Sequence, residues 1–367
     1  MPDRLRNEYF PEIVSAPGET LLELLGDRGM TQAELAERMG RPKKTVNEIV
    51  RGRAELTPET ALQLERVLGV LSAFWGNLER NYRDYLARSA ERGRLREHSK
   101  WPDSFPILQM TRLGFIEPAA NRVDYVATLL DFFAVTSVEQ WHTRYKGPTA
   151  AFRLAKKFQP NIPALAAWLR QGERMAQAIE CSDFDEQAFA ASLVEVRHLT
   201  RVGDAVALQA ELPRMCSRRG VAVVFVPELK DSRACGATRW LSPKKAIIQL
   251  SLRYKTDDHL WFTFFHEAGH ILLHGKRDSF VEGRGVRGDE GKEAEADQFA
   301  AEKLIPGTKM TELLALQPFT ASKLEAFAKQ IDVAPGIVVG RLQHDGHLPF
   351  THLNSLKRHY RWDHEAD

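Results

Sequence analysis

Cysteine is scarce in this sequence. The three cysteines among 367 residues are far apart and odd in number. This argues against a disulfide framework or a cysteine zinc cluster and is expected of a protein in a reducing cytoplasm. Long apolar runs are also lacking, because the longest, such as VAVVFV at 221–226, have the length of a strand and not of a membrane span. The first residues lack the apolar centre of a signal peptide, so we expect a cytoplasmic protein.

An excess of charge of one sign is lacking as well. The net charge is +2, with 51 basic and 49 acidic residues, so the charge of the whole chain indicates no partner. Any affinity for nucleic acid must come from a local cluster of basic residues. Internal repeats and low-complexity segments are also absent from the sequence. A chain of this length is expected to form two or three domains.

Helical patterns fill the first hundred residues, and they carry clear start and stop signals. TQAELAERMG begins with a capping Thr31, has Glu34 three residues later, and ends at Gly40. RPKKTVNEIVRG follows, with Pro42 near the first turn of a second short helix. Two short helices joined by a tight glycine turn predict an all-α helix-turn-helix DNA-binding domain over residues 1–100.

Basic side chains cluster on the second of these helices. Residues 41–53 contain five basic residues and one acidic residue, which gives a local charge of +4. Asparagine can bind adenine through two hydrogen bonds, and lysine can reach guanine or phosphate. A basic, solvated helix without a ligand is the alternative. The candidate DNA-contacting residues are Gln32, Arg41, Lys43, Lys44, Thr45, Asn47, Arg51 and Arg53.

The rest of the chain divides into two parts by pattern. Residues 101–205 are mostly helical in pattern and contain no chemical motif, and they are too long for a flexible linker. We expect them to form a helical connecting domain. From residue 206 onward, VAVVFVP predicts a buried strand and AIIQLSLRY alternates like a half-buried strand. Residues 206–367 are therefore predicted to form an α/β domain.

The segment HEAGH at 266–270 has the H-E-x-x-H pattern. Its spacing places His266 and His270 one turn apart on one helix face, where both imidazoles can bind one Zn²⁺. Glu267 lies beside them and could take a proton from a zinc-activated water, whose pKa falls to about 7. The alternative is a helix that contains two histidines by chance. Flanking phenylalanines predict that this helix is buried, and buried histidines without a ligand would be costly.

A third ligand is expected from EGKEAEADQFAAEKLIP, downstream of this helix. Its apolar residues define a buried helical sector, and Glu293 and Asp297 fall inside that sector, one turn apart. Glu293 is our third ligand, while Asp297 either orients a ligating imidazole or is the ligand instead. An internal salt bridge is the alternative for both carboxylates. His274 lies too far along the helix axis to complete the site, so we expect it to be an outer partner of the site or a partner of the helix dipole at its C-terminus.

Three blocks in this region resemble the ImmA/IrrE metallopeptidases. HEAGHILLH, EAEADQFAAEKLIP and IDVAPGIVVGRL occur in the order typical of that family, and the resemblance covers about 220–345. Ala334 stands where serine is usual. The resemblance implies a zincin-like α/β fold and proteolysis of a protein substrate. It also implies His266, His270 and Glu293 as zinc ligands and Glu267 as the general base.

The N-terminal part resembles HigA-type antitoxins of the Xre helix-turn-helix class over residues 15–90. TQAELAERMG, LTPETALQLE and FWGNLE carry this likeness. It implies a five-helix domain that binds a palindromic operator as a homodimer and represses its own operon. The whole chain is then a regulator that joins an operator-binding domain to a zinc metallopeptidase acting on a protein substrate or cognate toxin.

Two alternatives remain open for this arrangement. In one, the protein is an antitoxin and repressor whose zinc domain is structural or senses a partner or ligand without turnover. In the other, the zinc domain is the toxic part and the DNA-binding domain restrains it. The presence of Glu267 favours catalysis, because a domain without turnover has no need to retain a general base.

Overall fold

The structure is a computed structural model that describes residues 14–146, 153–154, 161–275, 280–283, 286–287 and 290–360. The chain divides into two compact units, Met1–Ser99 and Lys100–Asp367. Each unit has an apolar core made of its own residues. The helical N-terminal domain and the α/β C-terminal domain expected from the sequence are both confirmed.

The described part of the first unit consists of five helices around the fully buried Trp75. Thr31 caps the second helix as expected, because its side chain accepts a hydrogen bond from the Glu34 backbone N–H (3.2 Å) and the Glu34 carboxylate accepts one from Thr31 N–H (2.8 Å). Gly40 ends that helix with a φ of 65°, a left-handed conformation that glycine adopts readily. The helices are α1 Pro17–Asp27, α2 Gln32–Met39, α3 Lys43–Val50, α4 Pro58–Leu68 and α5 Ser72–Glu97.

The second unit places its helices around two β-ladders. Its first group of helices is α6 Ile107–Arg112, α7 Arg122–Phe133, α8 Val138–Lys146, α9 Ile162–Ala178, α10 Glu186–His198 and α11 Ala205–Ser217. Its second group is α12 Asp257–Leu273, α13 Glu290–Leu304, α14 Gly307–Leu314, α15 Ala321–Gln330 and α16 Pro335–His344. Short 3₁₀ turns lie at Trp101–Ser104, Leu199–Arg201 and Asn354–Leu356.

The strands of this unit form one mixed sheet and one small ladder. The sheet has the order β2-β4-β3-β5, in which β2 and β4 are parallel and the other neighbours are antiparallel. The small ladder pairs β1 with β6 in antiparallel fashion. The strands are β1 Arg153–Leu154, β2 Val221–Phe225, β3 Ala234–Ser242, β4 Lys245–Leu250, β5 Phe280–Gly283 and β6 Val286–Arg287. Strand β3 was not predicted from the sequence, because it carries few long aliphatic residues.

Helices cover both faces of the sheet. The prediction that β4 is buried on one face only was therefore wrong. Its polar residue Gln249 is 1% exposed, because its side-chain amide donates to the Trp168 carbonyl oxygen of α9 (2.7 Å). Trp168 in turn donates to Val226 O (3.0 Å). The polar side chain of Gln249 thus faces helix α9 and not solvent.

The helices predicted as a separate connecting domain at 101–205 belong to the same compact unit as the sheet. Successive residues of β2 point into two different cores. Val221 and Val223 pack with α10, α11 and α12, whereas Ala222 and Val224 pack with α7, α8 and α9. A strand that is apolar on both faces needs a cover on each side. Within residues 101–205, helices α7, α8 and α9 cover one face of the sheet, and α10 contributes to the cover of the other face.

A C-terminal segment holds the start of α12. Arg358 O accepts a hydrogen bond from Asp257 N–H (3.0 Å), and Lys357 Nζ lies 2.6 Å from the Asp258 carboxylate. Asp257 is fully buried. Burial, together with the neighbouring Asp258 charge, raises the pKa of Asp257 to about 7.

Among the described residues, we find no helix that is long and apolar enough to cross a membrane.

The raised pKa of Asp257 predicts a pH-dependent stability. Between its ordinary pKa of 3.8 and about 7, the folded state keeps a proton that the unfolded state has lost. Stability should therefore fall as pH rises through this window, by at most about 1.4 kcal/mol per pH unit. Asp257→Asn should remove this dependence and stabilise the protein above pH 7 in urea unfolding, whereas the exposed Asp131→Asn should not. If the free energy of unfolding changed with pH in the same way for the parent and for Asp257→Asn, the Asp257 carboxyl group would not be neutral in the folded state.

Candidate metal centre and nucleic-acid interface

Helix α12 brings two imidazoles together inside the second unit. His266 and His270 are each 2% exposed, and their ring centroids are 4.6 Å apart. Their Nε2 atoms approach to 3.0 Å. The i, i+4 spacing places both rings on one helix face, and the fully buried Phe264 and Phe265 hold other parts of this helix in the core.

Glu293 of α13 completes a cluster of three ligand atoms. Its Oε2 lies 3.2 Å from His266 Nε2 and 3.6 Å from His270 Nε2. Ligand atoms about 2.0–2.1 Å from a tetrahedral zinc would be about 3.3 Å apart. The observed separations lie on either side of this value. Two imidazole nitrogens and one carboxylate oxygen are a set of ligands that zinc accepts. The residues therefore fit a small divalent cation.

The protonation states also suit cation binding. Burial lowers the pKa of His270, which keeps its imidazole neutral. Burial alone would raise the pKa of Glu293, but hydrogen bonds from His266 and His270, and the charge of these imidazoles when they are protonated at low pH, lower the pKa of this carboxyl group to about 2. Neutral imidazole and ionised carboxylate are the forms that bind metal.

Each histidine has an outer partner on its other ring nitrogen. His266 Nδ1 lies 2.8 Å from the Asp297 carboxylate. His270 Nδ1 lies 2.9 Å from His274 Nδ1, and His274 Nε2 lies 3.1 Å from the Glu295 carboxylate. If each Nδ1–H of the two inner histidines donates outward, both Nε2 lone pairs point to the common centre. His274 then donates its own Nε2–H to Glu295.

The placement of the outer carboxylates differs in part from the expectation. Glu293 and Asp297 both face α12, but the Asp297 side chain is 55% exposed and does not lie in the apolar sector. Glu295 was expected on the solvent side, and its side chain is indeed 65% exposed, yet it reaches His274. The only feature of the sequence that pointed to a role for Glu295 is its position two residues after Glu293.

Glu267 lies beneath strand β3 and is fully buried. A Cβ atom on Gly236 of β3 would stand 2.6 Å from Glu267 Oε1, so glycine leaves room for this carboxylate. Thr238 of the same strand donates its hydroxyl to the Glu267 backbone oxygen (3.2 Å). Strand β3 therefore fixes the position of the residue that the sequence suggests as a general base.

Close packing of α12 and α13 brings Glu293 to the histidines. A Cβ atom on Gly269 would lie 3.1 Å from Phe299 Cδ1 and 3.3 Å from Ala296 Cα. These contacts are tighter than a side chain normally accepts, so glycine at this position allows the two helices to approach. The glycine of the H-E-x-x-H segment thus has a packing role at the cluster.

The first unit places most of the candidate DNA-contacting residues along one short helix. Lys43 and Lys44 are exposed in the first turn of α3, and Arg51 and Arg53 are exposed at and beyond its end. Asn47 is half-buried, and its side-chain amide donates to the Gln32 side chain of α2 (3.3 Å). This hydrogen bond fixes the orientation of both amides.

Two other candidates are less available for contact with a ligand. The Arg41 guanidinium lies 3.4 Å from the Glu59 carboxylate and donates to the Gln63 side chain (2.5 Å), so it is directed toward α4. Thr45 is half-buried, and its backbone N–H donates to Pro42 O (2.9 Å). The local charge available to an anion is smaller than the sequence count suggests, because Arg41 is paired within the unit.

Comparison with known proteins gives a match to a segment of each unit. Residues 21–75 match the family model described as helix-turn-helix, and residues 216–342 match the IrrE N-terminal-like domain. An addiction module antidote protein of the HigA family from Coxiella burnetii is 31% identical over 23% of this chain and 91% of its own length, with a TM-score of 0.21. The Pseudomonas aeruginosa antitoxin HigA with the higBA promoter is 32% identical over 24% and 94%, with a TM-score of 0.21. A search of curated proteins gave no match.

The chain joins a HigA-type helix-turn-helix domain to an IrrE-like domain. Both resemblances expected from the sequence are confirmed. The matched region of the IrrE-like domain contains the cluster of His266, His270 and Glu293 as well as Glu267. The matched helix-turn-helix region contains α2 and α3 with the candidate DNA-contacting residues.

The outer partners of the IrrE-like domain should control cation affinity. Asp297→Asn and Glu295→Gln should each weaken Zn²⁺ binding about 10- to 100-fold, because a charged acceptor becomes a neutral and weaker amide oxygen, directly at His266 and through His274 at His270. His266→Ala should abolish tight binding. Glu302→Gln, on the same helix but hydrogen-bonded to Gly307 N–H, should leave affinity unchanged in a competition titration. If Glu293→Ala binds zinc like the parent while Asp297→Ala does not, Asp297 is the ligand.

Proposed function

We propose that the protein is a cytoplasmic, operator-binding regulator whose IrrE-like domain is a zinc metallopeptidase that cleaves a protein. The observation that carries this proposal is the convergence of His266 Nε2, His270 Nε2 and Glu293 Oε2 within 3.0–3.6 Å, at the helix that also carries the buried Glu267. Three protein ligands leave a fourth position for water or substrate, which is typical of catalytic zinc sites.

The residues of the chain have distinct parts in this reaction. Bound zinc would supply a Lewis acid that activates water and polarises the substrate carbonyl. The Glu267 carboxylate takes a proton from the attacking water and delivers it to the nitrogen of the departing peptide. Strand β3 holds Glu267 in place. Asp297 and His274 keep the two ligating imidazoles in the required orientation.

Removal of the Glu267 carboxylate tests catalysis separately from cation binding. Glu267→Gln should retain about one zinc per chain and lose peptidase activity, because glutamine cannot accept the proton. Metal analysis measures the zinc, and mass spectrometry of a protein substrate or peptide mixture measures cleavage. Equal cleavage by the parent and Glu267→Gln would exclude Glu267 as the base. Zinc binding without cleavage in the parent would favour the non-catalytic antitoxin.

The HigA-type domain is proposed to bind a palindromic operator as a homodimer, with α3 in the major groove. The P. aeruginosa HigA structure includes its promoter DNA, and the residues exposed on α3 suit such a contact. Lys43 and Lys44 are placed to bind phosphate or base edges, and Asn47 to read a base. The toxin or protein substrate is then a second partner, held by the other unit of the same chain.

Substitutions on α3 should separate sequence reading from charge. In the full-length protein, Asn47→Ala should cost about 1–3 kcal/mol on the preferred operator and relax preference at one base position. Lys43→Ala should lower the slope of log affinity against log salt by about 1, because one phosphate contact is lost. Lys329→Ala, an exposed lysine of the other unit, is the control. If the parent bound duplexes of every sequence with the same affinity, the domain would not recognise a specific operator.

A further inference from the structure

Two adjoining cavities lie beside Phe262, one helical turn before His266. The smaller has a volume of about 100 Å³ and lies between α12, α13 and α16. The larger, of about 410 Å³, is more open to solvent. Both are lined by Phe262, Ala301, Ile305, Arg341 and His344. Because they share these walls, they form one cleft with an inner and an outer part.

The cleft lies alongside the metal cluster. Asp297 lines its outer part and is the residue hydrogen-bonded to His266 Nδ1 (2.8 Å). The Phe262 ring, which lines both parts, lies 6.3 Å from the His266 ring and stacks on the exposed His344 ring at 6.2 Å. The cleft thus adjoins His266 on the side of its Asp297 partner, one residue away from the cluster itself.

The walls of the inner cavity determine which side chain it can hold. Leu304, Ile305 and Ile337 line it and are each less than 5% exposed. Two charged groups of its lining already have partners in the chain, since Arg341 Nε donates to Asp345 (2.6 Å) and the Asp258 carboxylate accepts from Lys357 Nζ (2.6 Å). What remains for a ligand is mainly apolar surface.

The volume of the inner cavity limits the size of its occupant. An apolar cavity of about 150 Å³ in another protein stays dry and holds benzene. A cavity of about 100 Å³ is smaller and suits a branched or linear aliphatic side chain. An indole ring would be too large, and a glycine residue would leave the cavity empty.

We propose that the inner cavity of this cleft is the subsite for an aliphatic substrate side chain, such as that of leucine, isoleucine, valine or methionine, next to the peptide bond cleaved at the metal. The assignment rests on the proposed peptidase function and adds the substrate class to it. Phe262, Ala301 and Ile337 are the specificity-determining residues. The substrate is then a protein segment that exposes an aliphatic residue at the cleavage point.

Binding of metal-chelating peptides tests this subsite without relying on turnover. The probes are dipeptide hydroxamates whose side chain nearest the chelating group is that of glycine, leucine, lysine or tryptophan. Zinc-loaded, full-length protein should bind the leucine probe at least about tenfold more tightly than the glycine probe. The lysine and tryptophan probes should show no such gain. Isothermal titration calorimetry measures each affinity.

A filled cavity should remove this selectivity. Ala301→Phe should abolish the advantage of leucine while the glycine affinity and zinc content stay at parent values. Ala326→Phe, the same change at an exposed position of α15, should behave like the parent. If Ala301→Phe also weakens glycine binding, the smaller Ala301→Val decides. Partial loss of the leucine advantage in Ala301→Val supports the subsite, and an unchanged advantage overturns it.

The outcomes separate the subsite from the peptidase function. Equal affinity of the parent for leucine and glycine probes, or a preference for lysine, would overturn the aliphatic subsite and leave the metal site intact. Failure to bind zinc and every hydroxamate would overturn the proposed function, and the subsite with it.

Discussion

Burial of α12 is the constraint on which the second unit depends. This helix carries two histidines, a glutamate and two aspartates in positions that are nearly closed to water. Buried polar groups are costly unless specific partners satisfy them. Contacts to this helix come from three directions: Glu293 of α13 approaches the histidines, Thr238 of β3 donates to the Glu267 backbone oxygen, and the C-terminal segment meets the first turn. The site geometry is thus a result of how the helix is packed.

The sheet links this helix to the rest of the unit. Strands β2 and β4 are apolar on both faces, so α9 covers one side and α11 and α12 cover the other. A change in the helices of 101–205 would therefore act on the sheet that supports α12. Support of this sheet explains why the helices of 101–205, which carry no chemical motif, belong to the same compact unit as the metal cluster.

Local patterns predicted the parts of the structure that depend on local physics. The capping of α2, the i, i+4 pair of histidines and the helical face with Glu293 all follow from residues close in sequence. The contacts that sequence reasoning missed join distant segments. Gln249 meets Trp168, Glu295 meets His274, and Arg41 pairs with Glu59. Side chains of this kind look solvated in a helical or strand pattern until the tertiary partner is known.

The separate cores of the two units have a consequence for stoichiometry. Each unit buries its own apolar residues, and α5 ends at Glu97, only three residues before the second unit begins at Lys100. Short tethers give effective concentrations in the millimolar range. In the proposed function, every occupied operator then carries one peptidase per bound chain, whatever the level of expression.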